Sequence, residues 1–233
     1  MNEPNEVVVY DELTPCPYLP DQEARMPLRH PVGGLTGKQF DQRLEAGDRR
    51  TGSFLYRTNC PSCSACLPIR IPVHAFKPNR SQRRTLRRGD RVIKTQVTKP
   101  IADERRIALY NKHGRERGLN TLQESISLDN YRDFFTTSCC DTIEISYTID
   151  EALVAVAILD IGEKAASAVY CYFDPEYARF GLGVYSVLTQ LRLARQWEMD
   201  YLYLGLYIAD SPHMNYKTNY QPHELLIDGR WSA

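Results

Sequence analysis

The chain has 233 residues, of which 42% are hydrophobic and 25% are charged, a length and composition that can bury the core of one large domain or two modest ones. Its 29 basic and 29 acidic residues cancel, and no stretch approaches the roughly 18 consecutive apolar residues of a membrane helix. We therefore exclude a membrane-spanning protein. The acidic start lacks a secretory pattern and seven cysteines is an odd number, so we expect a reducing, cytoplasmic location without a disulfide framework.

The first 76 residues combine turns rich in Pro and Gly with a few regular elements. A helix is predicted for KQFDQRLEAG, beginning near Thr36 or Gly37 and capped by Gly47. Short strands are predicted for SFLYR and PIRIPV, on either side of a loop that contains cysteines. A further strand is predicted for the alternating VIKTQVT, which leads into the second part of the chain.

The loop between the two short strands carries cysteines at regular intervals: Cys60, Cys63 and Cys66. Such spacing suits a metal, and Cys16 would complete a four-sulfur site for zinc or an iron–sulfur cluster. The same thiols also suit a second interpretation, as buried small hydrophobic groups or redox-sensitive side chains. Both interpretations stay open at the level of the sequence.

A dense basic run follows this loop. Residues 77–99 contain nine lysines and arginines against one aspartate, so the neutral total conceals a cationic stripe. Such a stripe is typical of a surface that binds a polyanion, and RNA is the commonest large polyanion in a cell. A solvated charged segment is the alternative. The side chains that we predict to contact an RNA backbone are Arg80, Arg83, Arg84, Arg87 and Arg88.

The second part of the chain reads as helices followed by strands. Helices are predicted for DERRIALYNKHGRERG and for SLDNYRDFFTTS, the latter with Ser127 as its N-cap. Strands are predicted for IEISYTID, ALVAVAILDIG and AASAVYCYFDP, then a helix, then a strand for YLYLGLYI. The predicted fold class is α+β: a small cysteine-containing domain over residues 1–99, and a second domain over residues 100–233 with a mixed sheet and flanking helices.

The order of strands, with a glycine-bearing loop before the last long helix, resembles the fold of the GCN5-related N-acetyltransferases. In that fold a glycine loop holds the pyrophosphate of coenzyme A at a helix N-terminus. The corresponding stretch here runs from Arg179 to Gly183 and is one residue short before its first glycine, Gly181. The resemblance therefore implies an acyltransferase scaffold with a donor other than acetyl-coenzyme A, and a coenzyme A acetyltransferase is kept as a weaker alternative.

Longer motifs resemble one family over residues 15–231. They are PCPYLPDQEAR, LEAGDRRTGSFLYRTNCPSCSACLPIRIPVHAFKPNRSQRR, AVYCYFDP, YLYLGLYI and MNYKTNYQPHELLIDGRW. These segments resemble the arginyl-tRNA–protein transferases, and are most similar to their bacterial branch, the aspartate/glutamate leucyltransferases. The resemblance implies transfer of leucine from leucyl-tRNA to proteins with an N-terminal Asp or Glu, which marks them for degradation by the N-degron pathway. Arginine as the transferred group, and a non-catalytic RNA-binding or zinc-ribbon module, are the alternatives.

The chemistry of such a transfer makes modest demands on the protein. The aminoacyl ester is already activated and the attacking α-amine has a pKa near 8, so positioning, one base and oxyanion stabilisation are enough. No metal, covalent nucleophile or coenzyme A is required. We predict Asp174 as the base or amine anchor, with a simple turn residue before Pro175 as the alternative, and Tyr170 and Tyr203 as further active-site residues.

Two more tasks call for cations. An arginine can bind the acceptor's side-chain carboxylate through two parallel hydrogen bonds, and the candidates are Arg49, Arg50 and Arg80. The alternative for each of them is a role in RNA binding or at the surface. Lys217, between aromatic residues in MNYKTNY, is predicted to contact a phosphate or the terminal adenosine of the tRNA.

Overall fold

The computed structural model describes residues 5–117 and 125–233. The strands, in chain order, are β1 (Glu6–Tyr10), β2 (Leu13–Pro15), β3 (Glu23–Arg25), β4 (Leu28–Pro31), β5 (Arg49–Thr51), β6 (Phe54–Tyr56), β7 (Leu67–Pro72), β8 (Lys94–Thr98), β9 (Asp141–Ile149), β10 (Ala152–Ile161), β11 (Ala165–Phe173), β12 (Tyr201–Tyr207), β13 (Glu224–Ile227) and β14 (Arg230–Ser232). The helices are α1 (Gly37–Glu45), α2 (Arg80–Gly89), α3 (Glu104–Glu116), α4 (Leu128–Tyr131) and α5 (Leu182–Gln196).

Side-chain caps explain where most of these helices begin. Thr36 and Gln39 form a reciprocal capping box at the start of α1, which satisfies backbone N–H groups that have no partner within the helix. Asp103 caps α3, and Ser127 caps α4 as predicted. A short π-helical turn, Arg132–Thr136, continues α4. The helix predicted for DERRIALYNKHGRERG is confirmed as α3, although Gly118 at its end lies outside the described residues.

The basic run forms α2, a helix that the sequence analysis did not predict. A second capping box, made by Asn79 and Gln82, fixes its start. Gln82, Thr85, Leu86 and Gly89 form the buried face. The predicted RNA-contacting arginines recur at the spacing of one helical face, and all five are exposed: Arg80, Arg83, Arg84, Arg87 and Arg88.

An eight-stranded mixed sheet organises the molecule, in the order β14-β13-β7-β12-β11-β10-β9-β8. Its neighbours are antiparallel except for β11 and β12, which are parallel and are joined through α5. A four-stranded sheet in the order β1-β4-β6-β5 and the β2-β3 hairpin form the rest of the N-terminal part. The predicted α+β class, with a mixed sheet and flanking helices, is confirmed. The domain boundary at residue 99 stays a prediction, and β7 and β8 before it belong to the large sheet.

Apolar side chains pack on both faces of the large sheet. On one face, Leu86 of α2 and Leu188 of α5 pack over the strands. On the other face, Leu109 of α3 packs with an aromatic group, and α1 contributes Phe40 to a separate cluster with Tyr203 of β12. Burying one such leucine or phenylalanine contributes about 1.5–3 kcal/mol, so the helices are anchored on the sheet by their apolar faces. Within the residues that the structure describes, no helix has the length and apolar character to cross a membrane.

Candidate functional site

The large sheet opens between its two parallel strands. β11 and β12 pair only at their starts, and the last pair joins Ser167 to Tyr203. Beyond it, β11 continues along β10 while β12 continues along β7. The register of β12 shifts between Tyr203 and Leu206, and Gly205 lies there with a φ of 81°. A glycine takes this left-handed conformation without the steric cost of a Cβ, so Gly205 makes the bulge possible.

Two buried cations bind the carbonyl groups of this bulge. Arg49 of β5 donates from Nη2 to the carbonyl oxygen of Gly205 at 2.8 Å. Lys217 donates from Nζ to the carbonyl oxygen of Leu206 at 2.5 Å and to Met214 Sδ at 3.5 Å. Arg49 is only 4% exposed and Lys217 only 6%. Charged side chains are almost never buried this completely unless a charge partner or a function retains them.

Burial lowers the pKa of both side chains. Burial first, and then the neighbouring Arg49 charge, lower the pKa of Lys217 from its ordinary 10.5 to about 7, while the Cys66 thiol acts in the opposite direction. Burial also lowers the pKa of Arg49, whose nearest opposing influences are Tyr56, Tyr203 and Asp48. Arg49 Nε is buried with no hydrogen-bond partner in the described part of the chain. The bulge therefore offers a free donor and a weakly basic amine.

The opposite wall of the opening comes from β11 and the end of α3. The guanidinium of Arg117 lies 5.4 Å from the centre of the Phe173 ring. Tyr216 is 44% exposed but its hydroxyl end lies near Cys171 and Arg117, and the protein around it first, with the Cys171 thiol, raises its pKa to about 12. Tyr216 and Lys217 belong to one short 3-10 turn, Asn215–Asn219, so this turn reaches both separated strands.

Asp174 lies at the end of β11, as predicted, but its carboxylate is engaged. Lys112 Nζ lies 2.8 Å from Oδ1 and 3.0 Å from Oδ2. The backbone N–H of Glu176 donates to Oδ1 at 3.0 Å, so Asp174 also caps the 3-10 turn that follows. Lys112 binds Glu176 as well, at 2.7 Å. The geometry suits an anchored turn residue, and a role for Asp174 as a base would require it to accept a proton beside this cation.

The two predicted tyrosines lie in packed surroundings. Tyr203 is 1% exposed, and its hydroxyl lies 3.1 Å from both Arg70 Nη1 and Glu45 Oε2. The ring of Tyr170 packs against other aromatic rings of the α3 face, among them Tyr110 and Phe135. Burial raises the pKa of both tyrosines, so both hydroxyls are protonated at neutral pH. Their active-site role remains a prediction.

Arg50 occupies a structural position. Its Nε lies 2.7 Å from Asp160 Oδ2, and both side chains are 0% exposed. Nη1 donates to the carbonyl oxygen of Gly52 at 2.9 Å. Adjacent residues on a strand point to opposite faces, so Arg50 contacts Asp160 while Arg49 contacts the bulge. Of the three arginines predicted to bind the acceptor, Arg50 is the one whose charge is already neutralised by a buried carboxylate.

The arginine face of α2 meets the start of α5. Gly181, the N-cap of α5, has a φ of 65°, and no side chain caps this helix. A Cβ placed on Gly181 would lie 3.4 Å from Thr85 and 3.9 Å from Arg88 Nη2, both on α2. The uncapped N–H groups of α5 and the guanidinium of Arg88 therefore lie side by side, an arrangement that attracts phosphate.

The predicted four-sulfur site is not confirmed. Cys16, Cys60, Cys63 and Cys66 are half-buried free thiols. They are close enough that burial first, and then the other three cysteines, raise the pKa of Cys66 to about 11, which keeps its thiol protonated. Across residues 5–117 and 125–233, no group of three or more His, Cys, Asp or Glu side chains is placed to hold a metal ion.

Sequence reasoning missed three parts of this site: Lys112 beside Asp174, Arg117 over Phe173, and the bulge itself. The first two contacts join residues about sixty positions apart and leave no local pattern. The bulge did leave a signal. Gly205 interrupts the otherwise alternating YLYLGLYI, and an isolated glycine in a strand is typical of a bulge or a close approach.

Comparison with known proteins identifies the family. The family described as "Arginine-tRNA-protein transferase, C terminus" matches residues 105–227, and the corresponding N-terminus family matches residues 14–84. An aspartate/glutamate leucyltransferase of Thiobacillus denitrificans is 37% identical over 218 residues, which cover 94% of this chain and 90% of the relative. One of Chromobacterium violaceum is 37% identical over 220 residues, with 94% and 90% covered. The solved structure of FemX is similar with a TM-score of 0.47 and 11% identity, covering 78% of this chain and 63% of that one. The chain therefore belongs to the arginine-tRNA-protein transferase family.

Proposed function

We propose that this protein transfers leucine from leucyl-tRNA to the N-terminal Asp or Glu of other proteins, which creates a degradation signal of the N-degron pathway. The observation that carries the proposal is the match to relatives named aspartate/glutamate leucyltransferase, which spans 94% of the chain. The geometry supports it with an exposed arginine helix beside an opening in a mixed sheet. We place the reaction in the cytoplasm, where aminoacyl-tRNA is formed.

The exposed face of α2 supports a role in tRNA binding. Its arginines, Arg80, Arg83, Arg84, Arg87 and Arg88, carry no carboxylate partner among the described residues. A helix that presents cations at one face can follow a phosphate backbone, and release of counterions makes such binding fall steeply with salt. The closeness of Arg88 to the start of α5 then suits a phosphate near the 3′ end of the tRNA.

From that phosphate, the aminoacyl ester would reach the opening between β11 and β12. The ester carbonyl would then lie near the bulge at Gly205 and near the turn that holds Tyr216 and Lys217. Lys217 would thus meet the terminal adenosine, as the sequence analysis expected. The apolar Phe173 ring and the Met214 side chain offer surfaces of the kind that a leucyl side chain prefers.

In this proposal, Arg49 binds the acceptor's side-chain carboxylate. Its Nε is a buried donor without a partner in the described residues, and it lies beside the bulge. A carboxylate brought there gains a charge-assisted hydrogen bond in surroundings from which water is largely removed. Arg80 remains an alternative reader at the start of α2, whereas Arg50 is held by Asp160.

The chemistry is an ester-to-amide exchange. The acceptor's amine attacks the ester carbonyl, a C–N bond forms, the C–O bond to the ribose breaks, and the ribose oxygen takes up one proton. Asp174 stays a prediction as the proton acceptor, and Tyr170 and Tyr203 stay predictions as wall residues. The proposal includes no zinc or iron–sulfur cluster, because the exchange requires neither.

A transfer assay with matched substrates tests the proposal. The protein is incubated with radiolabelled leucyl-tRNA and a peptide that begins with Asp, and in parallel with an otherwise identical peptide that begins with Asn. Label on the Asp peptide and little on the Asn peptide is the expected result. Arginyl-tRNA and labelled acetyl-coenzyme A serve as alternative donors. Binding of tRNA without transfer from any donor would refute the proposal and favour the RNA-binding module.

A further inference from the structure

Lys217 is bound in a way that suits a neutral amine. A protonated lysine has three N–H donors, and a neutral one has two donors and a lone pair. Nζ contacts two acceptors in the described part of the chain, the carbonyl oxygen of Leu206 and the sulfur of Met214. Two acceptors match two donors and leave the lone pair free.

The amine of Lys217 lies beside Gly205. A Cβ on Gly205 would lie 3.7 Å from Nζ, in van der Waals contact with it, so a side chain at this position would cover part of the amine. The opening between β11 and β12 begins at the same bulge. A group that enters the opening along β12 therefore approaches the side of the strand on which Nζ lies.

The surroundings of Lys217 keep a large part of its amine uncharged at physiological pH. The titratable groups that face it from neighbouring elements are Arg49 of β5, which repels its charge, and the Cys66 thiol before β7. Tyr216, on its own turn, faces Cys171 and Arg117 instead. Since burial and Arg49 lower the pKa of Lys217 to about 7, a large fraction of the side chain is neutral at neutral pH. The best proton acceptor is one whose pKa lies near the working pH, and the acceptor's α-amine has a pKa near 8.

We propose that Lys217 is the catalytic residue that takes the proton from the acceptor's α-amine during transfer. This inference rests on the proposed function. The amine nitrogen forms the new C–N bond to the ester carbonyl and gives one proton to Lys217 Nζ. The resulting ammonium returns that proton to the ribose oxygen as the C–O bond breaks. Atoms and charges balance, and Lys217 is left neutral for the next turnover.

Asp174 is less suited to this task because Lys112 and a backbone N–H already occupy its carboxylate.

A second role for Lys217 would be to bind an anion, for which its amine must be charged. The two roles have opposite pH dependence. A base must be neutral, so transfer rises as the pH increases through about 7. An anion-binding lysine must be protonated, so its contribution falls over the same range.

Single-turnover transfer from leucyl-tRNA to an Asp peptide, measured between about pH 6 and pH 9, separates these outcomes. The variants are Lys217→Gln, which keeps a donor for Leu206 but has no base, and Lys217→Arg, which keeps the charge but cannot be deprotonated. Lys164→Met, at an exposed lysine, is the matched control. We expect both Lys217 variants to bind tRNA and peptide, to transfer about 10²-fold more slowly, and to lose the inflection near pH 7.

Other results would contradict the role of Lys217 as the proton acceptor. Full activity of Lys217→Arg with loss in Lys217→Gln would assign Lys217 to anion binding. A Lys217→Gln variant that transfers like the wild type would overturn the proposal outright. If one variant does not fold, as judged by circular dichroism, the other still reports the pH profile. Failure of the wild type to transfer would count against the proposed function, whereas normal transfer by folded Lys217 variants counts against this inference alone.

Discussion

Replacing Arg50 by methionine should lower the stability of the protein strongly. It should not change substrate recognition directly. Arg50 and Asp160 form an ion pair in which both side chains are fully buried, with Nε and Oδ2 separated by 2.7 Å. Asp160 Oδ1 accepts one further hydrogen bond, from the hydroxyl of Thr142 at 2.7 Å. Arg50→Met keeps the apolar stem but leaves a buried carboxylate with that single donor.

Removing one partner of a buried ion pair costs about 3–5 kcal/mol, because the remaining charge is neither solvated nor paired. A domain has only about 5–15 kcal/mol of stability, so the variant should lose about a fifth or more of it. Exchanging both partners for apolar residues is often nearly neutral. Arg50→Met combined with Asp160→Leu should therefore regain most of the stability that Arg50→Met loses.

Urea unfolding followed by tryptophan fluorescence measures these differences. Arg25→Met is the matched control, since Arg25 pairs with Asp11 at 2.6 Å on the surface, where an ion pair contributes little. The reasoning is refuted if Arg50→Met unfolds at the same urea concentration as the wild type. If that stable variant binds acidic peptides selectively less well, Arg50 would instead be assigned to the acceptor site.

Three further changes test the assigned roles. Arg83→Glu with Arg84→Glu should weaken tRNA binding and flatten its salt dependence in filter binding, and equal affinity at every salt concentration would remove α2 from the interface. Asp174→Asn should slow single-turnover transfer less than tenfold if Lys217 takes the proton, whereas a loss of about 10²-fold would return that role to Asp174. Cys63→Ser should lower thermal stability or tRNA affinity before it affects the transfer step; a folded variant that binds both substrates without transferring would contradict this.

The sequence predicted most elements of the large sheet because their signals are local. The run ALVAVAILDIG is apolar and rich in β-branched residues, and it forms the interior strand β10. The helix α2 escaped prediction because its buried face contains one large apolar residue, Leu86, with the rest supplied by Gln82, Thr85 and Gly89. The capping box of Asn79 and Gln82 nevertheless indicates where the helix begins, and it is a local signal.

The site was harder to predict because its contacts join distant parts of the chain. Arg49 and Gly205 are 156 residues apart, and Arg50 and Asp160 are 110 apart. The Arg49-Arg50 doublet reads as one feature in the sequence, but the alternation of β5 sends the two side chains to different partners. Choosing between them requires the register of β5 against the large sheet, and no residue in the doublet encodes that.

Under the roles proposed for Arg49 and Lys217, the bulge at Gly205 would link recognition of an acidic residue to the chemistry at its amine. Arg49 and Lys217 bind consecutive carbonyl groups, those of Gly205 and Leu206. An N-terminal Asp or Glu carries its amine and its side-chain carboxylate only a few bonds apart. One residue can therefore place its carboxylate at Arg49 and its amine at Lys217. Under these proposed roles, an internal Asp or Glu would have no free amine to place there, and an N-terminal Asn would leave the Arg49 charge buried without a counter-ion, so we expect an acidic N-terminal residue to be favoured.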